Sequence, residues 1–132
     1  MFEMKEEYYI GIKQIDEEHK ELFKIAQSAY DVLSDEFIPD KFDHIVTIIN
    51  ELKEYAKFHF ASEEAYMKKI GHKKLFSQIV DHEQFMEKVN SIDFEQVDKN
   101  QTEMLLDILS FIGDWLSQHI LEKDKLIADK LD

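Results

Sequence analysis

The chain has no cysteine, one proline and three glycines. Without cysteine there are no disulfides, no thiolate metal sites and no thiol nucleophiles. So few glycines and prolines cannot build the many tight turns of an all-β protein. Positive charge is also scarce. Sixteen Lys and Arg stand against 29 Asp and Glu, for a formal net charge of −13. Such a chain repels polyanions, which argues against nucleic acid or an anionic membrane as a partner. No apolar run approaches the ~20 residues that span a bilayer. The opening MFEMKEEYYI has no basic segment followed by an apolar one, so no signal peptide is expected. These absences leave one soluble domain over residues 1–132, with a cytoplasmic location and enough chain for a sizeable core.

What remains is helical periodicity. Apolar residues recur at steps of three and four in four blocks. Ile15, His19, Leu22, Ala26, Ala29 and Leu33 share one face. The second stripe is Phe42, Ile45, Ile49, Leu52, Ala56, His59, Glu63, Tyr66 and Ile70. The third is Leu75, Gln78, His82, Phe85, Val89 and Ile92, and the fourth is Leu105, Ile108, Ile112, Trp115, His119, Glu122 and Leu126. The breaks have chemical causes. Pro39 in DEFIPD disfavours helix in the residue before it, Gly71 suits a helix C-terminus, and Asp98–Gln101 separates the last two blocks, with Thr102 placed to cap the fourth. The spacing predicts helices at about 14–36, 40–70, 73–97 and 102–129, behind an N-terminal arm, 1–13, packed through Phe2, Tyr8, Tyr9 and Ile10. Short connections make neighbours antiparallel. The expected fold is all-α, an antiparallel up-and-down four-helix bundle.

Polar residues interrupt these stripes: His19, His59, Glu63, Gln78, His82 and His119. A single core histidine is ordinarily just hydrogen-bonded to a neighbour. Four that meet need another reason. With turns centred near 38, 71 and 100, His19 lies 19 residues before the first turn and His59 lies 21 after it. His59 and His82 lie 12 and 11 residues from the second turn, and His82 and His119 lie 18 and 19 from the third. At the rise of an α-helix each mismatch is ~1.5–3 Å, so all four helices bring an imidazole to one height. Buried imidazoles and a carboxylate without partners are costly, and a bound cation removes the cost. Nitrogen and oxygen donors without sulfur suit iron, manganese or zinc. The donors outnumber what one tetrahedral zinc takes, which favours a dinuclear site bridged by Glu63. Asp124 lies five residues after His119, about 140° around an ideal helix, so periodicity alone reads it as a solvated charge. His44 is expected at the surface, and His72 too far along its helix to ligate.

Four segments, GIKQIDEEHKELF (11–23), KFHFASEEAYM (57–67), GHKKLFSQIVDHEQF (71–85) and DWLSQHILEKD (114–124), resemble the hemerythrin family, in particular its single-domain bacterial members. The resemblance covers nearly the whole chain. It implies two non-haem iron ions (Fe2+/Fe3+), bridged by oxo or hydroxo, held by five histidines, a glutamate and an aspartate. By motif, His19 and His59 match the iron that takes up O2, Glu63 and Asp124 match the bridging carboxylates, and His82 and His119 match two of three histidines on the other iron. The third position is Gln78 here. It has three options: weak ligation through the amide oxygen, a hydrogen bond to bound water, or an open coordination position. Trp115, Leu116, Ile120, Phe23 and Phe60 are expected as apolar walls of an O2 pocket around the iron pair, and of these Trp115 and Leu116 match pocket residues of the family. The implied function is an O2-binding protein (carrier, store or sensor), acting as a monomer on O2 or a related small ligand, with no catalytic residue assigned. The alternative is a di-iron oxidase or peroxidase acting on O2 or H2O2, suggested by Gln78.

Overall fold

A computed structural model describes residues 2–38, 41–95 and 101–128. Those residues contain no strand and form four long helices. They are α1 (Lys13–Ser34), α2 (Phe42–Lys69), α3 (Leu75–Asn90) and α4 (Gln101–His119). A single 3-10 turn, Glu6–Tyr8, precedes them, and α4 runs on through a π-turn, Ile120–Asp124, into a last α turn, α5 (Lys125–Ala128). α1 packs on α2 and on α4, and α2 packs on α3. α3 meets α4 through side chains, with Phe85 and Trp115 ring centroids 4.4 Å apart. This is the expected four-helix bundle.

The predicted stripes supply the core. Ile15, Leu22, Ala26 and Ala29 of α1 close on Ile45, Ile49, Leu52 and Ala56 of α2, with Phe85, Val89, Leu105 and Ile112 completing it. The boundaries shift where local chemistry differs from the periodic pattern. α1 stops at Ser34, before the expected residue 36, and α3 stops at Asn90 rather than 97, where Ser91 closes the helix by donating to the Glu87 and Lys88 carbonyls. The expected tail of α3 at 96–97 and the breaker Pro39 lie outside the described residues. Thr102 is the second residue of α4 as described, not its cap. The α2–α3 turn follows the glycine rule. Gly71 takes φ +65°, its amide reaches the Lys68 carbonyl, and the His72 amide reaches Met67. The helix ends before Ile70, which is therefore exposed, and Met67 takes the buried place at this end.

The arm is held by hydrogen bonds and by buried side chains. Asp16 accepts from the Ile10 and Gly11 amides at 2.8 and 3.1 Å. Gly11 sits at φ +88°, a left-handed conformation that favours glycine. Phe2, Tyr8 and Ile10 are buried, while Tyr9 is exposed, a correction to its expected packing. Alternation along the short arm sends Tyr8 inward against Phe23, with ring centroids 5.3 Å apart, and Tyr9 outward. No helix among the described residues is long and apolar enough to cross a membrane.

Candidate metal centre

Each helix delivers its polar residues to one level. α1 supplies His19, α2 supplies His59 and Glu63 one turn apart, α3 supplies Gln78 and His82 one turn apart, and α4 ends on His119. All six are buried. Asp124 joins them, fully buried at 0 % exposure. The π-turn explains how. Its hydrogen bonds link residues five apart instead of four, which inserts one extra residue into the turn and brings His119 and Asp124 to the same face. The same extra residue corrects the end of the fourth stripe. Glu122 and Leu126, expected inward from α-periodicity, are exposed, and Asp124 and Ile127 are buried in their place.

The geometry divides into two halves that share both carboxylates. Glu63 Oε2 faces His59 Nε2 at 3.2 Å and His19 Nε2 at 3.5 Å, while Glu63 Oε1 faces His82 Nε2 at 3.1 Å and His119 Nε2 at 3.9 Å. Asp124 repeats the pattern, with Oδ2 3.0 Å from His19 Nε2 and Oδ1 3.1 Å from His119 Nε2. His19, His59, Glu63 and Asp124 thus present donor atoms within 4.8 Å of one another, and so do Glu63, His82, His119 and Asp124. The donor set fits two cations. His19 Nε2, Glu63 Oε2 and Asp124 Oδ2 are buried without an aligned hydrogen bond. The Nε2 atoms of His82 and His119 lie 3.2 Å apart. Converging buried polar atoms, some of them left without an aligned partner, are satisfied by a cation placed between them.

With only protons to share, the cluster holds charge. Burial pushes the His59 imidazole down, but Glu18 and Glu63 outweigh it and carry its pKa up to about 10. His119 is likewise pushed down by burial and raised on balance, to about 9, by Asp124 and Glu63. Burial also opposes protonation of His19, and Asp124 and Glu63 prevail and raise it. Burial favours a neutral Glu63, but the four imidazoles around it hold it well below the usual carboxylate range.

A second layer of carboxylates escaped sequence reasoning. Glu18 Oε1 lies 2.7 Å from His59 Nδ1 and is buried on α1. Glu64 Oε2 lies 2.7 Å from His82 Nδ1, and Asp81 Oδ2 lies 4.0 Å from His119 Nδ1. A carboxylate on Nδ1 fixes the tautomer that leaves Nε2 free to ligate and raises its basicity. The available signal was positional: Glu18 and Asp81 stand beside His19 and His82 in sequence, and Glu64 beside Glu63.

Of the expected apolar walls, Trp115 and Phe60 touch the ligand imidazoles. Trp115 stacks on the His119 ring, with centroids 4.4 Å apart and planes 10° apart. Phe60 stacks on His82 at 4.0 Å and 8°. Both therefore flank the His82 and His119 half. Phe23 stacks on Tyr8 of the arm, and Leu116 and Ile120 are buried. Gln78 is buried and donates through Nε2 to Asp124 Oδ1 at 2.8 Å. His44 is exposed as expected. His72 stays away from the centre. Its Nδ1 accepts from the Lys74 amide, so Nε2 donates to the Leu126 carbonyl at 2.8 Å and ties the α2–α3 turn to α5.

Residues 10–131 match the hemerythrin HHE cation-binding domain. The chain is 46 % identical to a bacteriohemerythrin of Clostridium acetobutylicum over 129 residues, covering 98 % of this chain and all of that one. It is 24 % identical to a bacteriohemerythrin of Methylococcus capsulatus over 120 residues, covering 91 % and 88 %. Bundle, paired half-sites and full-length similarity agree: the chain belongs to the hemerythrin family, whose members bind a di-iron centre.

Proposed function

We propose that this chain is a single-domain, cytoplasmic di-iron protein that binds O2 reversibly, as a carrier, store or sensor. The observation that carries the reading is the sharing of Glu63 and Asp124, one oxygen each, between two pairs of imidazoles. His19, His59, Glu63 and Asp124 would hold one iron, and His82, His119 and the same two carboxylates the other. A reduced iron pair supplies the electrons that O2 binding draws on. The protein's own part is positional. Glu18 and Glu64 aim His59 and His82 through their Nδ1 atoms. Leu116, Ile120 and Phe23 add buried apolar bulk, and a dry pocket disfavours side reactions with water.

The test is optical. The iron-loaded protein is reduced without air, exposed to O2 and then freed of it. Return of the ferrous spectrum establishes reversible binding. Direct passage to a stable ferric form, with peroxide turnover above that of free iron, establishes the oxidase or peroxidase reading instead. That second reading rests on Gln78, which stands where the family pattern has a histidine and hydrogen-bonds to Asp124.

A further inference from the structure

The two halves of the centre offer equal donor sets. One has the Nε2 atoms of His19 and His59 with Glu63 Oε2 and Asp124 Oδ2, and the other has those of His82 and His119 with Glu63 Oε1 and Asp124 Oδ1. Two imidazoles with carboxylate oxygen leave open positions on a non-haem iron. Gln78 is the further polar side chain contributed by α3 at this level, and its amide is already committed on one side. Nε2 donates to Asp124 Oδ1, the oxygen that faces His119. Its other end is not committed: Oε1 is buried and has no hydrogen-bond partner. A buried carbonyl left unpaired is costly, so it calls for a donor. Neutral carbonyl oxygen suits magnesium, calcium and manganese, whereas imidazole suits iron. Solvent space approaches the outer side of this half. The His82 ring lines a cavity of about 270 Å³ together with the exposed Lys57, Ala61 and Glu83.

We propose that Gln78 is not an iron ligand but a positioning residue. It anchors Asp124 through Nε2 and accepts through Oε1 a hydrogen bond from a neutral O–H ligand, water at rest, in an exchangeable position of the His82 and His119 half. This rests on the di-iron reading above and gives the centre two open halves where a third imidazole would close one.

The experiment uses the full chain loaded with iron, reduced by one electron to an EPR-visible form and exchanged into 17O-labelled water. The wild type should show a terminal-water 17O coupling, and Gln78→His should lose the part of it that belongs to the His82 and His119 half, because the imidazole fills that position. Gln78→Glu, a charged oxygen donor of the same size, should lose it too, which keeps the test intact if the histidine variant fails to load. A crystal structure of the iron-loaded wild type decides independently: solvent oxygen bonded to that iron within hydrogen-bond reach of Gln78 Oε1 supports the assignment. Oε1 itself bonded to iron, or spectra unchanged between wild type and both loaded variants, overturns it while leaving the di-iron reading standing. Fewer than two irons per wild-type chain overturns both.

Discussion

Glu18 shows how much a single carboxylate outside the ligand set contributes. It binds His59 Nδ1 at 2.7 Å, and Ser62 and Gln14 both donate to its other oxygen. Burial pushes the Glu18 carboxyl up, but the His59 and Ser62 contacts outweigh this and hold it below its usual value. It therefore stays charged beside His59 and lends that imidazole electron density. Glu18→Gln keeps the shape and removes the charge. Metal affinity should fall roughly 10–100-fold, the usual cost of losing an outer carboxylate. Competition against a chelator of known affinity measures it, with Glu18→Asp as a partial rescue. Unchanged affinity would mean that Glu18 only fills space. A second residue-scale prediction concerns Asp16, whose two oxygens cap the arm at Ile10 and Gly11. Asp16→Ala leaves two backbone donors short of partners and should destabilise the fold by ~1–3 kcal/mol in urea unfolding.

Among the elements, α4 and its π-turn do the most to shape the site. An ideal helix would carry Glu122 and Leu126 inward and turn Asp124 away. The single extra residue in the turn reverses both. Deleting the exposed Glu122 would convert the π-turn to an α-turn and leave Asp124 four residues after His119, still on its face. The deletion variant should fold, bury Asp124 and bind two metal ions, and loss of one metal would show that the wider turn itself sets the carboxylate's reach. Gly113 of α4 supplies the other element-scale test. A Cβ there would stand 2.6 Å from Phe2 Cε1, so the arm depends on the missing methyl. Gly113→Ala should be destabilising or neutral in the native chain but stabilising by up to ~1 kcal/mol once Phe2→Ala has cleared the space. The stripes and the level of the four histidines were legible because a 3.6-residue period and short turns determine them. Asp124 was legible only through family resemblance, because a π-turn breaks the period and leaves no compositional mark. Glu18 was hard to read because it is one acid among 29 and sits beside the stripe, with only its place next to His19 to mark it.

For the whole molecule, protons and metal compete for the same nitrogens, and this gives opposite pH trends with and without metal. The stripped protein holds His59 and His119 at about 10 and about 9, above their ordinary 6.5. Raised folded-state values mean that protonation stabilises the fold. The contribution is complete below about pH 6.5 and is lost as pH climbs through about 9 to 10. Glu63 adds the mirror case, since it is held well below 4.5. Its contribution is present above about pH 4.5 and fades as pH falls further. Metal ligation needs neutral imidazoles, so loading must expel the protons on His59 and His119, and affinity rises across the window where the stripped fold weakens. Bound metal stabilises by mass action, so its effect grows as affinity grows. Between about pH 6.5 and 9, the unfolding midpoint of stripped protein should drop while that of protein loaded anaerobically with Fe2+ should hold or rise. Calorimetric titration in buffers of different ionisation enthalpy should detect the released protons directly at about pH 7. Parallel pH curves with no proton release would mean that the imidazoles are already neutral before metal arrives. The carboxylates would then organise the centre without charging it.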